Sequence, residues 1–179
     1  TFNVRPLPTK YVGPEALARF YDTLVERLQT VPGVTRAGAI NSLPLGGGTG
    51  NLATRIEEFP PAQGEFPPTF SIYRASPGYF EAMSIPVVEG RSLTADDHNN
   101  RLGSVVINSS LKERFWPNTS ALGKRMSVAG IQAQIVGVVG DVHTAGHDVQ
   151  APQVLYLPML DVAGAPNLLG IGGMTVTVR

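Results

Sequence analysis

Cysteine is absent from the 179 residues, which excludes disulfides, thiolate catalysis and every cysteine-ligated metal site. Charge is sparse as well: charged residues make up 16% of the chain, against about 25% in an average soluble domain. Neither sign is in excess, since 14 Lys and Arg balance 14 Asp and Glu. A neutral chain with a pI near 6.8 lacks the basic footprint of a nucleic-acid binder or of a polybasic membrane-surface patch. Long apolar runs are missing too. The uncharged stretch from Val162 to Val178 is interrupted by Pro166, Asn167 and four glycines, and is too polar and broken to span a bilayer. No initiator methionine or signal peptide precedes Thr1, and the last residue, Arg179, directly follows an expected strand. A piece of a longer protein is therefore expected.

What the chain has in excess is punctuation. Glycine (20) and proline (15) together make up about a fifth of the residues, where about 12% is usual. That composition favours many turns and short elements over long helical bundles. With 42% hydrophobic residues, a chain of this length buries roughly 70% of its unfolded surface and needs no staples. The length allows one domain or two small lobes.

The clearest helix starts at Pro14, preceded by Gly13 at the cap position. Leu17, Phe20, Tyr21, Leu24, Leu28 and Val31 recur at spacings of three and four, and Pro32-Gly33 ends the pattern. Strands are expected over residues 1–6, 34–41, 52–58, 69–75, 85–89, 104–107, 154–157 and 174–178, with a hairpin of 126–128 and 131–139 turning at Ala129-Gly130. Ser76 is expected to cap a short helix with Pro77 in its first position and with Tyr79, Phe80 and Met83 buried. Asn108 or Ser109 caps another, which carries Leu111, Phe115 and Trp116. Residues 45–51 form a glycine-rich connector, residues 59–68 a proline-rich, polyproline-like excursion, and residues 94–101 a polar loop suited to a lobe boundary. Strand, helix and strand within the first forty residues predict a helix packed on a sheet.

Reactive constellations are scarce. The run Gly46, Gly47, Gly48, Gly50 has no following Lys-Ser or Lys-Thr and no helix to open, so it does not make a phosphate loop. Gly123-Lys124 fails for the same reason, since Arg125 follows. Asp141, His143, His147 and Asp148 form the densest polar cluster, and two histidines four apart with flanking carboxylates are a metal-hydrolase pattern. Gly140 and Gly146 favour a solvated loop there instead, and His98 lies apart. No G-x-S-x-G elbow occurs, and turn capping accounts for Ser42 and Ser76. Solvation accounts for the adjacent pair Asp96-Asp97, and core packing for Phe115-Trp116. No catalytic, cofactor-binding or metal-binding residue is assigned, and no cofactor is called for.

A series of short phrases carries more information than any motif. In order they are Phe20-Tyr21 through Leu28 with Val31-Pro32-Gly33-Val34; Asn41-Ser42-Leu43-Pro44-Leu45; Ser76-Pro77-Gly78-Tyr79-Phe80 with Met83; Ile85-Pro86 and Glu89-Gly90-Arg91; Val106-Ile107-Asn108 with Arg114-Phe115-Trp116-Pro117; Gly123-Lys124-Arg125; Val136-Gly137-Val138-Val139-Gly140-Asp141-Val142; and Tyr156-Leu157-Pro158. Together they resemble the extracytoplasmic (periplasmic) core domain of MacB/FtsX-type ABC transporter permeases, most of all the orphan acidobacterial-type permeases. The family pattern commonly has a basic residue where His143 stands.

The resemblance implies an α+β fold: a mixed sheet with helices packed on it in a porter-like lobe, plus a smaller inserted α/β lobe. The porter-like lobe, incomplete, would hold residues 1–93 and 174–179, the inserted lobe residues 94–169, and residues 170–173 a glycine-rich linker. Membrane helices would flank the segment, and one sheet face would lie under-covered. The implied function is a non-catalytic extracytoplasmic domain that relays conformational change and contacts cargo or partner proteins. Implied partners are the permease's own transmembrane helices, a cytoplasmic ATPase acting indirectly, a second permease copy, and an adaptor protein or a lipid or small-molecule cargo. Residues 46–50, 96–103 and 170–173 are candidate joints. The alternatives are a metal-dependent hydrolase using Asp141, His143, His147 and Asp148, and a freestanding binding module.

Overall fold

Gly13 and Pro14 start helix α1 (Pro14–Gln29) as the sequence predicts, because Gly13 sits at φ 87° and a backbone N–H at the first helical position, which proline lacks, would have no acceptor within the helix. In this computed structural model residues 1–7, 9–43, 50–98, 103–142, 151–159 and 172–179 are described. The helix stops two residues before the predicted Val31, which is 47% exposed. Its buried line is Ala18, Tyr21 and Val25, flanked by half-buried Leu17, Phe20, Leu24 and Leu28.

That line packs on a sheet of β1 (Phe2–Val4), β10 (Met174–Val178) and β2 (Ala37–Ile40), ordered β1-β10-β2 and antiparallel throughout. Alternation assigns the faces. Ala37, Ala39, Met174 and Val176 join α1 in one core, while Ile40 belongs to a different core on the opposite face. All four residues of β2 and the first four of β10 are buried. The expectation of an under-covered sheet face therefore fails over these two strands. The short helix α2 (Tyr79–Ala82) lies against the second face.

The larger sheet contains β3 (Asn51–Ile56), β4 (Thr69–Arg74), β5 (Val87–Gly90), β6 (Gly103–Asn108), β7 (Arg125–Val128), β8 (Ile131–Val139) and β9 (Val154–Leu157), in the order β5-β8-β6-β9-β4-β3-β7. Pairings β4–β9 and β6–β8 are parallel and the others antiparallel. Since β7 also pairs with β8, six strands close into a ring and β5 hangs on its outside. Closure removes the ragged edges of an open sheet. Strands from before and after Thr94 hydrogen-bond directly in this ring, β3 with β7 and β4 with β9, so no sheet boundary falls there.

Inside the ring, Ile56, Phe70, Ile72, Val105, Ile107, Met126, Ile135 and Leu155 form the main core. Helix α3 (Ser109–Phe115) adds Leu111 to it, and Trp116 follows at the helix end. The alternate residues Tyr73, Val106, Val154 and Tyr156 face outward into a middle core with Ile40, Tyr79 and Phe80. The layers thus run α1, first sheet, α2 with a cluster of aromatic rings, then the ring. Strands β6 and β9 are buried on both sides, which is why residues 105–107 and Val154–Leu157 read as continuous apolar runs, whereas β4 alternates and is fully buried only over its last three residues.

The predicted hairpin turn is present: β7 and β8 are joined by Ala129 (φ 49°) and Gly130 (φ 89°), both left-handed. Such a two-residue turn favours Asn-Gly, since a Cβ is strained at this φ and Asn tolerates it better than Ala. The side chain of Ala129 is exposed. Ala129→Asn is expected to stabilise the fold by about 0.5 to 1 kcal/mol, and Ala129→Val to destabilise it. Urea midpoints at an unchanged slope check both.

Candidate functional site

Two stretches of chain lead from one sheet to the other, β2 to β3 and β9 to β10, and a third leaves the ring after β4 and returns to it at β5 by way of α2. All three are fastened at one seam. The first leaves β2 at Asn41, whose backbone N–H donates to the Arg74 carbonyl at 3.0 Å and whose Oδ1 accepts from the Arg74 N–H at 3.0 Å. The second leaves β4 towards α2. There Ile40 and Ala75 form an antiparallel bridge, and the Ala75 N–H donates to Leu157 at 3.0 Å. The third leaves β9 at Pro158, whose carbonyl accepts from Arg74 Nη1 at 2.8 Å. Met159 then enters the α1 core.

Arg74 is 1% exposed. A buried guanidinium persists only where its donors are satisfied, and its five fixed donors suit it to gather several chain segments at once. Ser76 does related work. Its Oγ accepts from the Ala39 N–H at 2.8 Å and donates to the Pro77 carbonyl at 2.9 Å. The expected helix cap at Ser76 is therefore corrected: α2 has Gly78 at its N-cap (φ 79°) and no side-chain cap. Ser76 is drawn instead to an amide that has no partner in the ladder.

No slack remains where β2 meets α2. A Cβ on Gly38 would stand 2.4 Å from Tyr79 Cα, and one on Gly78 would stand 2.5 Å from the Ala37 carbonyl oxygen. Next to this contact the rings interlock, with Tyr79–Phe80 centroids 5.5 Å apart, Phe80–Tyr156 4.9 Å and Tyr73–Tyr156 5.7 Å. The Tyr79 hydroxyl is buried without a hydrogen-bond partner, and burial pushes its pKa up. Burial acts in the same way on Tyr156.

Two further knots hold the ring. Asn108 caps α3 through Oδ1, accepting from Leu111 N–H at 3.3 Å and also from Val154 N–H at 2.9 Å. Its Nδ2 donates to the Asp141 carboxylate at 2.5 Å and to the Pro152 carbonyl at 2.8 Å. One side chain so ties β6, α3, β9 and the end of β8. Asp97 sits in a single 3-10 turn (Ala95–His98) and is 3% exposed. It takes a bidentate pair from Arg91 at 2.7 and 2.8 Å, the Thr94 N–H at 2.7 Å and the Ser104 hydroxyl at 2.5 Å. Burial alone would push its carboxyl up. The hydrogen bonds from Arg91, Ser104 and Thr94, with the Arg91 charge, outweigh that and hold it well below the usual carboxylate range. The solvated reading of the Asp96-Asp97 pair holds only for Asp96, which is exposed.

Of the metal-hydrolase set, His143, His147 and Asp148 lie outside the described residues. Asp141 borders an open cavity of about 500 Å³ with Ser110, Glu113, Arg114 and Gln153. Its carboxylate accepts from the Ser110 N–H (2.9 Å), the Ser110 hydroxyl (2.8 Å) and Asn108. Among the described residues no group of three or more His, Cys, Asp or Glu is placed to hold a metal ion. Trp116 packs in the ring core, and its Nε1 donates to Glu58 at 2.8 Å.

Of the candidate joints, residues 46–49, 99–102 and 170–171 lie outside the described ones. Gly50 borders β3, Asp96 and Asp97 belong to the pinned turn, and Gly173 lies against the Arg5 side chain. Sequence reasoning missed Arg74 and the seam. The available signal was an arginine closing the strand phrase Thr69 to Ala75 between Tyr73 and Ala75, where a charge has no solvent face to reach.

A family model described as the MacB-like periplasmic core domain matches residues 1–179. Over 67 residues, 37% of this chain, the sequence is 33% identical to YvrN of Bacillus subtilis (strain 168), an uncharacterized ABC transporter permease. The chain spans 16% of the length of that relative. Among solved structures, the periplasmic region of MacB from Actinobacillus actinomycetemcomitans superposes with a TM-score of 0.60 at 20% identity, covering 89% of this chain and 64% of that one. The extracellular domain of the noncanonic ABC-type transporter YknZ from Gram-positive bacteria gives 0.54 at 19% identity, covering 89% and 72%. These structural likenesses show the α+β fold.

Two substitutions test the polar fastenings. Arg74→Ala strips the bond to Pro158 from a buried carbonyl and is expected to cost about 3 kcal/mol of stability, read as a lowered urea midpoint. Asp97→Asn is expected to cost about 2 kcal/mol near neutral pH. Because the folded-state pKa of Asp97 is depressed, that advantage of the native residue is full above about pH 5 and shrinks as the pH falls below about 4. Unfolding measured at pH 7 and pH 3 should show the gap closing.

Proposed function

Because the chain belongs to the MacB-like periplasmic core domain family, the extracytoplasmic part of ABC transporter permeases, we propose that it is a non-catalytic body that relays conformational change. ATP is hydrolysed by a separate cytoplasmic ATPase, and the permease's own membrane helices carry the motion to this domain. The domain then moves against a second permease copy and contacts an adaptor protein or a lipid or small-molecule cargo. Two lobes are proposed, divided along the seam: a porter-like one around the first sheet and α1, and one built on the ring.

The observation that carries this reading is the fastening of both crossings, and of the stretch that leads through α2, at Arg74, Asn41 and Ser76. With β2 and the first four residues of β10 buried on both faces and Gly38 against Tyr79, displacement of α1 meets no soft layer before the ring. A relay needs that stiffness, since a compliant joint would absorb the motion. No helix among the described residues is long and apolar enough to cross a membrane. The metal-hydrolase alternative gains no support, because the Asp141 carboxylate is committed to Asn108 and Ser110.

Reconstitution of the full permease with its ATPase tests the proposal. Deleting this domain should leave ATP hydrolysis measurable while ATP-driven transport or partner response is lost, and Arg74→Ala should lower the ratio of response to ATP consumed. Transport or partner response that survives the deletion overturns it.

A further inference from the structure

The loop between β3 and β4 carries an aromatic residue that the fold itself does not use. Phe66 is 95% exposed, the most exposed of the large hydrophobic side chains described. It is not on a slack tether. Pro60, Pro61, Pro67 and Pro68 fix φ on both limbs of the loop. The tip is a turn in which the Glu65 N–H donates to the Ala62 carbonyl at 2.9 Å, with Gly64 at φ 90°.

The base of the loop is equally firm. Phe59 packs on Phe115 and Trp116 at centroid distances of 5.4 and 5.9 Å. Glu58 accepts from Trp116 Nε1 at 2.8 Å and pairs with Lys124. On the return limb the Pro68 carbonyl accepts from the Thr54 N–H at 2.9 Å. An exposed Phe on a prefixed loop has little conformational freedom left to lose when it enters a pocket.

Charge selects the occupant. Residues 57–68 contain Glu57, Glu58 and Glu65 and no lysine or arginine. Glu58 is engaged by Lys124, while Glu57 and Glu65 are exposed near Phe59 and Phe66. An anionic lipid surface repels such a loop. An apolar pocket on a protein with lysine or arginine at its rim complements it, the rim charges steering encounter and the ring supplying the anchor. We propose that the loop of residues 57–68 is a docking knob, with Phe66 entering an apolar, basic-rimmed pocket on a second, different polypeptide outside the membrane. This deepens the relay reading and rests on it, since it names the surface through which the domain would meet a partner protein.

The absence of cysteine gives a direct test. In the full permease with other cysteines removed, Phe66→Cys is labelled in intact cells with a membrane-impermeant maleimide, and in parallel with a benzophenone maleimide followed by light. At 95% exposure the change leaves the thermal midpoint unaltered. External labelling is expected, together with a light-dependent adduct to a different polypeptide. That adduct should fall at least roughly five-fold when Glu57→Lys and Glu65→Lys are added, and fall with rising salt. An adduct to lipid alone, to a second copy of this chain alone, or none despite external labelling overturns the docking proposal and leaves the relay reading standing. Failure of external labelling in a folded permease overturns the extracytoplasmic reading, and the docking proposal with it.

Discussion

Strand β2, Ala37–Ile40, has no face left for water. One side is taken by α1 and the other by α2, and the second contact is a backbone-to-backbone approach that only Gly38 permits. The rest of the arrangement follows from this. Because β2 is enclosed, the sheet it belongs to cannot slide on the ring without opening a void, and packed interiors resist that strongly. The aromatic layer of Tyr73, Tyr79, Phe80 and Tyr156 fills the space between and sets the spacing of the two bodies.

Buried polar residues in this molecule act as fasteners. Arg74, Asn108 and Asp97 are each at most 3% exposed. Arg74 and Asn108 join segments far apart in sequence, to Pro158 and to Pro152 and Asp141, while Asp97 ties the nearer Arg91 and Ser104. A satisfied buried network costs little once formed but is expensive to leave half made. Such groups therefore favour one arrangement over near alternatives. Their donors and acceptors are occupied by the protein itself.

The two sides of the molecule differ in character. At the seam, apolar surface is matched by apolar surface, and the polar groups of Asn41, Arg74 and Ser76 find partners within the chain while the Tyr79 hydroxyl does not. At the far end of the ring, the loop carrying Phe66 holds an aromatic ring in water on a proline-stiffened frame. The seam supplies stiffness, and the loop supplies chemistry that remains unused inside the fold. The likeness to the MacB and YknZ domains extends over 89% of the chain at about 20% identity, so the shared feature is the layered frame.

Local chemistry determined what depends on neighbours a few positions apart. Gly13-Pro14 at the start of α1, the i, i+3, i+4 stripe through Tyr21, the turn at Ala129-Gly130 and the cap by Asn108 all follow from the residues within one turn of them. The joint order of short phrases likewise carried the family and the α+β class. Only tertiary structure decided that Ser76 would serve β2 and not a helix, that Asp97 would be buried while Asp96 stayed wet, that the ring would close through β7 and β8, and that Arg74 would lock the seam. For Ser76 and Arg74 the deciding partners come from tens of residues away, Ala39 and Pro158, and the ring closes because the local β7–β8 hairpin also meets the distant strand β3. A single position does not reveal which distant carbonyl or amide will lack a partner until the chain has folded around it.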